Sequence, residues 1–352
     1  MRTELEEGDG KIIWQAHLLS GDYLPEKVIG REEQKRKLEM CLSPMKEGQA
    51  PLNAWLYGSA GTGKTMLART VAREVCQDSA HRFSFYVNCW ERRSLYSAVQ
   101  AIAESLKVLG AEAQDTNVKL DRIRRVIKEE PVVVILDDID RVAPSERERI
   151  IYTLLGLPHA GVVCISNQKE TLFSLEERTR SRLSPMVIAF PQYRQQELEK
   201  ILFDRAREAF VPNTWNKAIL SKLVEGAGGD ARAGLEALRH AAAAAESTGK
   251  KRIALRACAH ELRARGPKPG EVMVQRLSYH ERLIYELALQ NEPVLTTDLR
   301  RIYGNRCQKD GITPVARRTF SKYVKLLGDC GLVSVDQRVV GGKGRLLRVP
   351  AT

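Results

Sequence analysis

Eight consecutive residues, Gly58-Ser59-Ala60-Gly61-Thr62-Gly63-Lys64-Thr65, constrain this chain more than any other stretch. They fit the phosphate-binding pattern G-x-x-x-x-G-K-[ST] without a mismatch. The apolar residues 53–57 before them read as a buried strand, and residues 66–75 after them read as a helix. Strand, loop and helix is the context the pattern needs. Three glycines let backbone N–H groups turn inward around phosphate oxygens, and the helix N-terminus adds its positive end. Lys64 can reach the β- and γ-phosphates, and the Thr65 hydroxyl can ligate Mg²⁺.

The loop predicts a sheet to carry it, and the next 130 residues supply one. Residues 83–88, 131–138, 161–167 and 186–190 read as further strands, with helical spacing between them. The run Val132-Val133-Val134-Ile135-Leu136 has no polar alternation, which predicts a parallel strand buried on both faces. It closes in Asp137-Asp138. A carboxylate at the end of a buried strand beside the phosphate loop can hold Mg²⁺ (Asp137), and the next one can polarise an attacking water (Asp138). Asp138-Ile139-Asp140-Arg141 also reads as a solvated loop or helix cap. Beyond Pro191 four helices follow one another, at about 197–210, 215–225, 232–247 and 253–265. Gly266-Pro267-Lys268-Pro269-Gly270 reads as a linker.

In the last quarter of the chain charge becomes informative. From Gly266 onward there are 15 Lys/Arg against 8 Asp/Glu, so this part holds +7 of the net +12. Thr313-Pro314 reads as a helix start. The helix after it divides into an apolar side (Ala316, Phe320, Tyr323, Leu327) and a polar, mostly basic one (Arg317, Arg318, Ser321, Lys322, Lys325). Two strands follow, at 331–335 and 345–349; Arg338 and Lys343 lie in the span between them, and Arg345 opens the second. A basic helix and a basic-tipped hairpin predict a winged helix that grips duplex DNA. The charges also fit a winged helix that contacts protein. His280 could be functional, but its place early in the domain's first helix reads as an ordinary polar helix position. The apolar run 132–136 is far too short to span a bilayer. Seven cysteines without C-x-x-C spacing predict reduced thiols and no metal cluster, as in a cytoplasmic protein.

Together these motifs resemble an AAA+ ATPase and, more narrowly, an archaeal origin-recognition initiator, over Tyr23 to the C-terminus. The resemblance implies an α/β fold: a nucleotide-binding domain at 25–191, an all-helical lid at 192–265 and a winged helix at 271–352, after an arm at 1–24. Tyr23-Leu24-Pro25-Glu26, Val28, Ile29 and Arg31 resemble the adenine-side segment, although the family often has a histidine where Val28-Ile29-Gly30 stands. Asn167 resembles the first sensor, Arg232 the second, and Arg182 the arginine finger. Phe190-Pro191-Gln192-Tyr193 resembles the hinge into the lid. The implied ATP/ADP contacts are Gly58 through Met66, Val28, Ile29, Arg31, Tyr193 and Arg232, with Thr65 and Asp137 on Mg²⁺. The family usually has Asp-Glu where this chain has Asp137-Asp138, and the side chain shorter by one methylene implies slow hydrolysis. An extra DNA-contacting helix is implied near residues 95–113.

The implied partners are origin duplex DNA, the replicative helicase and another initiator subunit, with no membrane and a cytoplasmic, nucleoid-associated location. Two other functions fit the same residues. One is a transcription regulator that binds ATP and hardly hydrolyses it; the other is an AAA+ loader that acts on protein alone.

Overall fold

The computed structural model describes residues 11–25, 27–77, 81–108, 115–254, 277–329, 332–339 and 345–348. The chain divides into two compact units, Met1–Leu262 and Arg263–Thr352.

The first unit is built on a five-stranded parallel sheet of order β2-β3-β4-β1-β5. The strands are β1 (Ala54–Tyr57), β2 (Phe83–Asn88), β3 (Val132–Asp137), β4 (Ala160–Ser166) and β5 (Met186–Ala189). Successive side chains point to opposite faces, and both faces are covered. Val132, Val134 and Leu136 enter the core on one side, while Val133 and Ile135 enter the core on the other. α3 (Leu95–Ser105), α4 (Thr116–Ile127) and α5 (Pro144–Leu154) supply the first face; α1 (Glu32–Leu42) and α2 (Lys64–Cys76) supply the second. Two short helices, α6 (Glu170–Phe173) and α7 (Glu177–Leu183), lead into β5. The two-sided burial expected from the β3 sequence is what the fold uses.

Leu56 of β1 is fully buried in the core that α1 and α2 cover. Leu56→Ala is therefore expected to cost about 2–5 kcal/mol of stability through lost burial and the cavity left behind. Urea unfolding followed by circular dichroism measures it.

The lid consists of α8 (Gln195–Ala209), α9 (Lys217–Ala227) and α10 (Ala231–Ser247) around one apolar cluster. The stretch read as an N-terminal arm is described from Lys11, and from there it belongs to this cluster. Ile12, Leu18 and Leu19 are buried in it. The Ile12 and Ile13 amides donate to Glu246 Oε1 at 2.6 and 2.8 Å, and those of Trp14 and Gln15 donate to the Ala209 carbonyl at 2.8 and 3.0 Å. Of the helix expected at 253–265, residues 255–265 lie outside the described residues, as does the linker at 266–270.

The second unit holds α11 (Tyr279–Gln290), β6 (Val294–Leu295), α12 (Thr296–Lys309), α13 (Arg317–Asp329), β7 (Ser334–Val339) and β8 (Arg345–Arg348). Its antiparallel sheet has the order β6-β8-β7. Three helices against such a sheet make a winged helix. α13 starts three residues later than Thr313-Pro314 suggested. The Tyr303 hydroxyl captures the Val315 amide at 3.2 Å, and the first helical bond runs from the Phe320 amide to the Ala316 carbonyl. Ala316 is consequently exposed rather than on the apolar side, and Val324 takes a core position beside Phe320 and Leu327. His280 Nδ1 pairs with the same Tyr303 hydroxyl at 2.7 Å. Among the described residues no helix is long and apolar enough to cross a membrane.

Candidate nucleotide-binding site

The phosphate loop leaves β1 at the carboxyl edge of the sheet, where open α/β sheets bind ligands. Two of its glycines are required by close approach. A Cβ on Gly58 (φ 153°) would lie 2.1 Å from the Phe190 carbonyl oxygen, and one on Gly61 (φ 70°) 1.8 Å from Asp230 Oδ1. α2 then starts at Lys64 itself. Lys64 is buried, and its ammonium donates to the Gly58 and Ser59 carbonyls at 2.7 and 2.9 Å and to Asn167 Oδ1 at 3.1 Å. Burial pulls its pKa below the usual lysine value, against the opposing effect of Asp137 and Asp138. Phosphate oxygens are stronger acceptors than carbonyls because they are charged, so an ammonium held at this point is suited to meet them.

Asp137 ends β3 and is 6% exposed. Its Oδ2 accepts from the Thr65 and Tyr86 hydroxyls, both at 2.8 Å, and its Oδ1 accepts from the Asp138 amide at 3.1 Å. Burial raises its pKa, while the bonds from Thr65 and Tyr86 pull the other way. Asp138 adopts a left-handed conformation (φ 53°, ψ 40°) that is rare for a residue with a side chain. Asn167 Nδ2 donates to its Oδ1 at 3.3 Å, and the Asn167 amide donates to Asp140 Oδ1 at 3.2 Å. Asn167 thus bridges Lys64 and Asp138. Two hydroxyl and carboxylate oxygens, from Thr65 and Asp137, make the hard donor set that Mg²⁺ takes alongside phosphate oxygens and water. No group of three or more His, Cys, Asp or Glu among the described residues could hold a metal by itself.

The lid closes the other side. The Ala231 amide, at the start of α10, donates to the Gly61 carbonyl at 3.1 Å, and Asp230 caps the helix through the Ala233 amide at 2.9 Å. Between sheet and lid lies a cavity of about 750 Å³. It is lined by Ala60 through Met66, Asp137, Asp138, Asn167, Tyr193 and Arg232, and by Tyr23, Pro25 and Ile29. Arg232 is exposed and lies against Gly21 of the N-terminal segment.

Gly58 and Ser59 do not line the cavity and turn their carbonyls to Lys64 instead, and three other expected residues lie elsewhere. Val28 does not line the cavity and packs against the core under α1 and α2. Arg31 is buried, and its guanidinium donates to the carbonyls of Thr62 (2.9 Å), Gly30 (2.8 Å) and Pro191 (2.5 Å) while stacking on Tyr193, 3.8 Å from the ring centroid. It braces the phosphate loop against the hinge. Arg182, exposed on α7, donates to the Leu155 carbonyl at 3.0 Å and stacks on Tyr152 away from the cavity. Outside the motifs, Tyr86 holds Asp137 from behind, and Trp90, Arg141 and Arg205 line the cavity. Their only signal is position relative to strand ends and helices that have to be assembled first.

In the second unit, α13 exposes Arg317, Arg318, Ser321, Lys322 and Lys325. Arg338 falls within β7 and Arg345 opens β8. Lys343 lies outside the described residues.

Comparison with known proteins agrees with this architecture domain by domain. Residues 27–165 match the AAA ATPase domain family, 199–258 the Cdc6 AAA+ ATPase-type lid domain, and 274–350 the CDC6 C-terminal winged helix domain. ORC1-type DNA replication protein 1 of Halobacterium salinarum is 30% identical over 301 residues, 84% of this chain and 96% of that protein. The protein of the same name from Archaeoglobus fulgidus is 30% identical over 354 residues, 93% of this chain and 84% of that one. Among solved structures, the Aeropyrum pernix ORC1 protein in complex with DNA superposes with a TM-score of 0.67 at 27% identity, covering 99% of this chain and 95% of its own. The phosphate loop, the lid and the winged helix are thus the parts of one known assembly, and the chain belongs to the ORC1/Cdc6 family of DNA replication proteins, with an AAA+ ATPase domain that binds nucleotide.

Proposed function

We propose that this chain is a nucleotide-switched replication initiator that binds duplex origin DNA and helps recruit the replicative helicase. The observation that carries this reading is the cavity shared by sheet and lid. The start of α10 hydrogen-bonds the phosphate loop at Gly61, so whatever fills the loop bears directly on the lid. ATP would lie with its phosphates against residues 58–65 and its base toward Tyr23, Pro25 and Ile29. Lys64 and Arg232 would meet the γ-phosphate from opposite sides. Thr65 and Asp137 would hold Mg²⁺, which when bound neutralises charge that develops on the phosphate oxygens.

Asp138 would orient the attacking water, with Asn167 holding its carboxylate. Its short side chain and fixed left-handed backbone favour slow turnover, and slow turnover would convert an ATP form into a persistent ADP form. Arg182, outside its own cavity, would act on the nucleotide of a neighbouring initiator subunit. The exposed basic face of α13 would enter the major groove, with Arg338, Lys343 and Arg345 on the backbone. The Aeropyrum pernix ORC1 protein was solved in complex with DNA, which supports DNA binding in general.

Asp138→Asn should lower turnover by about 10²-fold or more, the scale of a lost general base, while ATP affinity stays within a factor of about two to three. Single-turnover hydrolysis and equilibrium binding measure the two effects. The initiator reading itself is tested by footprinting this protein on chromosomal DNA around its own gene at moderate salt. A protected site preferred over random duplex is expected, and its absence would sink origin binding. A pull-down with the replicative helicase separates the initiator from a promoter-binding regulator, which would not retain it.

A further inference from the structure

Tyr86 is not a residue that the phosphate-loop chemistry demands, yet it makes one of the best-formed contacts of the site. Register explains how. β2 pairs with β3 so that Tyr86 stands opposite Ile135, which leaves Asp137 as its diagonal neighbour on the same face. An aromatic side chain is long enough to reach that far, and the phenol donates to Asp137 Oδ2 at 2.8 Å. The ring is fixed from the other side by the Arg69 guanidinium, 4.9 Å from its centroid. Arg69 lies on α2 one turn after Thr65, the other donor to the same oxygen. A single helix therefore grips both members of the Tyr86–Asp137 pair.

Counting lone pairs shows what the contact does. A carboxylate offers about four acceptor positions. Thr65 and Tyr86 fill both positions of Oδ2, and the Asp138 amide fills one of Oδ1. One lone pair on Oδ1 is left to accept from a water or to meet a cation. Without the phenol, Oδ2 regains a free lone pair and the carboxylate has a second way to present itself. The Thr65 hydroxyl, whose hydrogen lies on Asp137, keeps its own lone pairs for a cation.

We infer that Tyr86 is a positioning residue for the cation that accompanies the nucleotide: it fixes which oxygen of Asp137 faces the cation site. The inference rests on the assignment of Mg²⁺ to Thr65 and Asp137 made above. Partners one layer behind a metal ligand govern metal affinity by roughly 10- to 100-fold when removed. Tyr86→Phe deletes one oxygen and keeps the ring under Arg69. The Mg²⁺ concentration that half-saturates the metal-dependent part of ATP binding should then rise by about tenfold, near the lower end of that range.

The test titrates full-length protein and its Tyr86→Phe variant with a fluorescent ATP analogue, by anisotropy, in EDTA and across Mg²⁺ concentrations. Support requires a shifted Mg²⁺ midpoint with unchanged affinity in EDTA and an unchanged thermal midpoint. An unshifted Mg²⁺ midpoint, with a wild type that responds to Mg²⁺, overturns the role of Tyr86 and leaves the metal assignment standing. Equal weakening in EDTA and in Mg²⁺ also overturns it, because the phenol would then act on the loop at large. A wild type indifferent to Mg²⁺ overturns the metal assignment and this inference together.

Discussion

Lys64→Ala is expected to weaken ATP binding by about 10²- to 10⁴-fold. The lysine ammonium now rests on two carbonyls and Asn167, and a triphosphate offers it charged oxygens instead. A hydrogen bond to a charged group is worth about 1.5–3 kcal/mol. Losing two of them removes about 3–6 kcal/mol, which gives the stated range at about 1.4 kcal/mol per tenfold. Burial adds to the effect, because Lys64 is largely shielded from water and little screening weakens its field. Equilibrium binding by calorimetry reads the loss, and circular dichroism checks that the fold is kept. Winged-helix binding to DNA measured without nucleotide should not change. Affinity for ATP within threefold of the wild type would mean that the nucleotide lies elsewhere.

The second large effect is expected in the other unit. Arg317→Ala combined with Arg318→Ala should weaken duplex binding by at least about 2 kcal/mol, roughly thirtyfold, since each such contact contributes about 1–3 kcal/mol. Salt dependence separates two ways of acting. If both guanidiniums lie on phosphates, the slope of log K against log salt becomes shallower by about two and all sequences suffer alike. If either reads a base edge, discrimination between sites falls as well. Both side chains are exposed on α13 and none of the apolar core depends on them, so the fold should survive the change. Gel-shift titrations on specific and random duplexes at several salt concentrations measure it. Unchanged affinity would turn the winged helix into a protein-binding module.

Local signals in the sequence are legible where a single segment carries them. The phosphate loop has fixed residues at fixed spacing. The β3 run declares burial on both faces because it contains no polar alternate, and both acids at its end reach the cavity. What stayed hidden depends on partners far away in the chain. Tyr86 acquires its meaning only from the register of β2 against β3. Arg31 resembled a nucleotide contact because it lies in the right segment, but the carbonyls of Thr62 and Pro191, 31 and 160 residues away, claim it. α13 starts at Arg317 because a tyrosine from the preceding helix competes for the Val315 amide. The N-terminal segment has no period of its own, and its two amides find Glu246 across more than 230 residues.

That last contact changes how the lid can move. From Ile12 to Leu19 the chain packs in the lid; it then leaves to build the whole sheet and returns at α8 to finish the lid. The lid is therefore joined to the sheet by two covalent crossings, near residues 20–25 and 190–194, and not by one. A body on a single tether can swivel about it; a body on two can turn only about the line that joins them. Two crossings therefore leave the lid fewer ways to rotate on the sheet than one crossing would. The segment from Ile12 to Leu19 depends on the lid in turn, because its apolar side chains have no core until α8, α9 and α10 are in place.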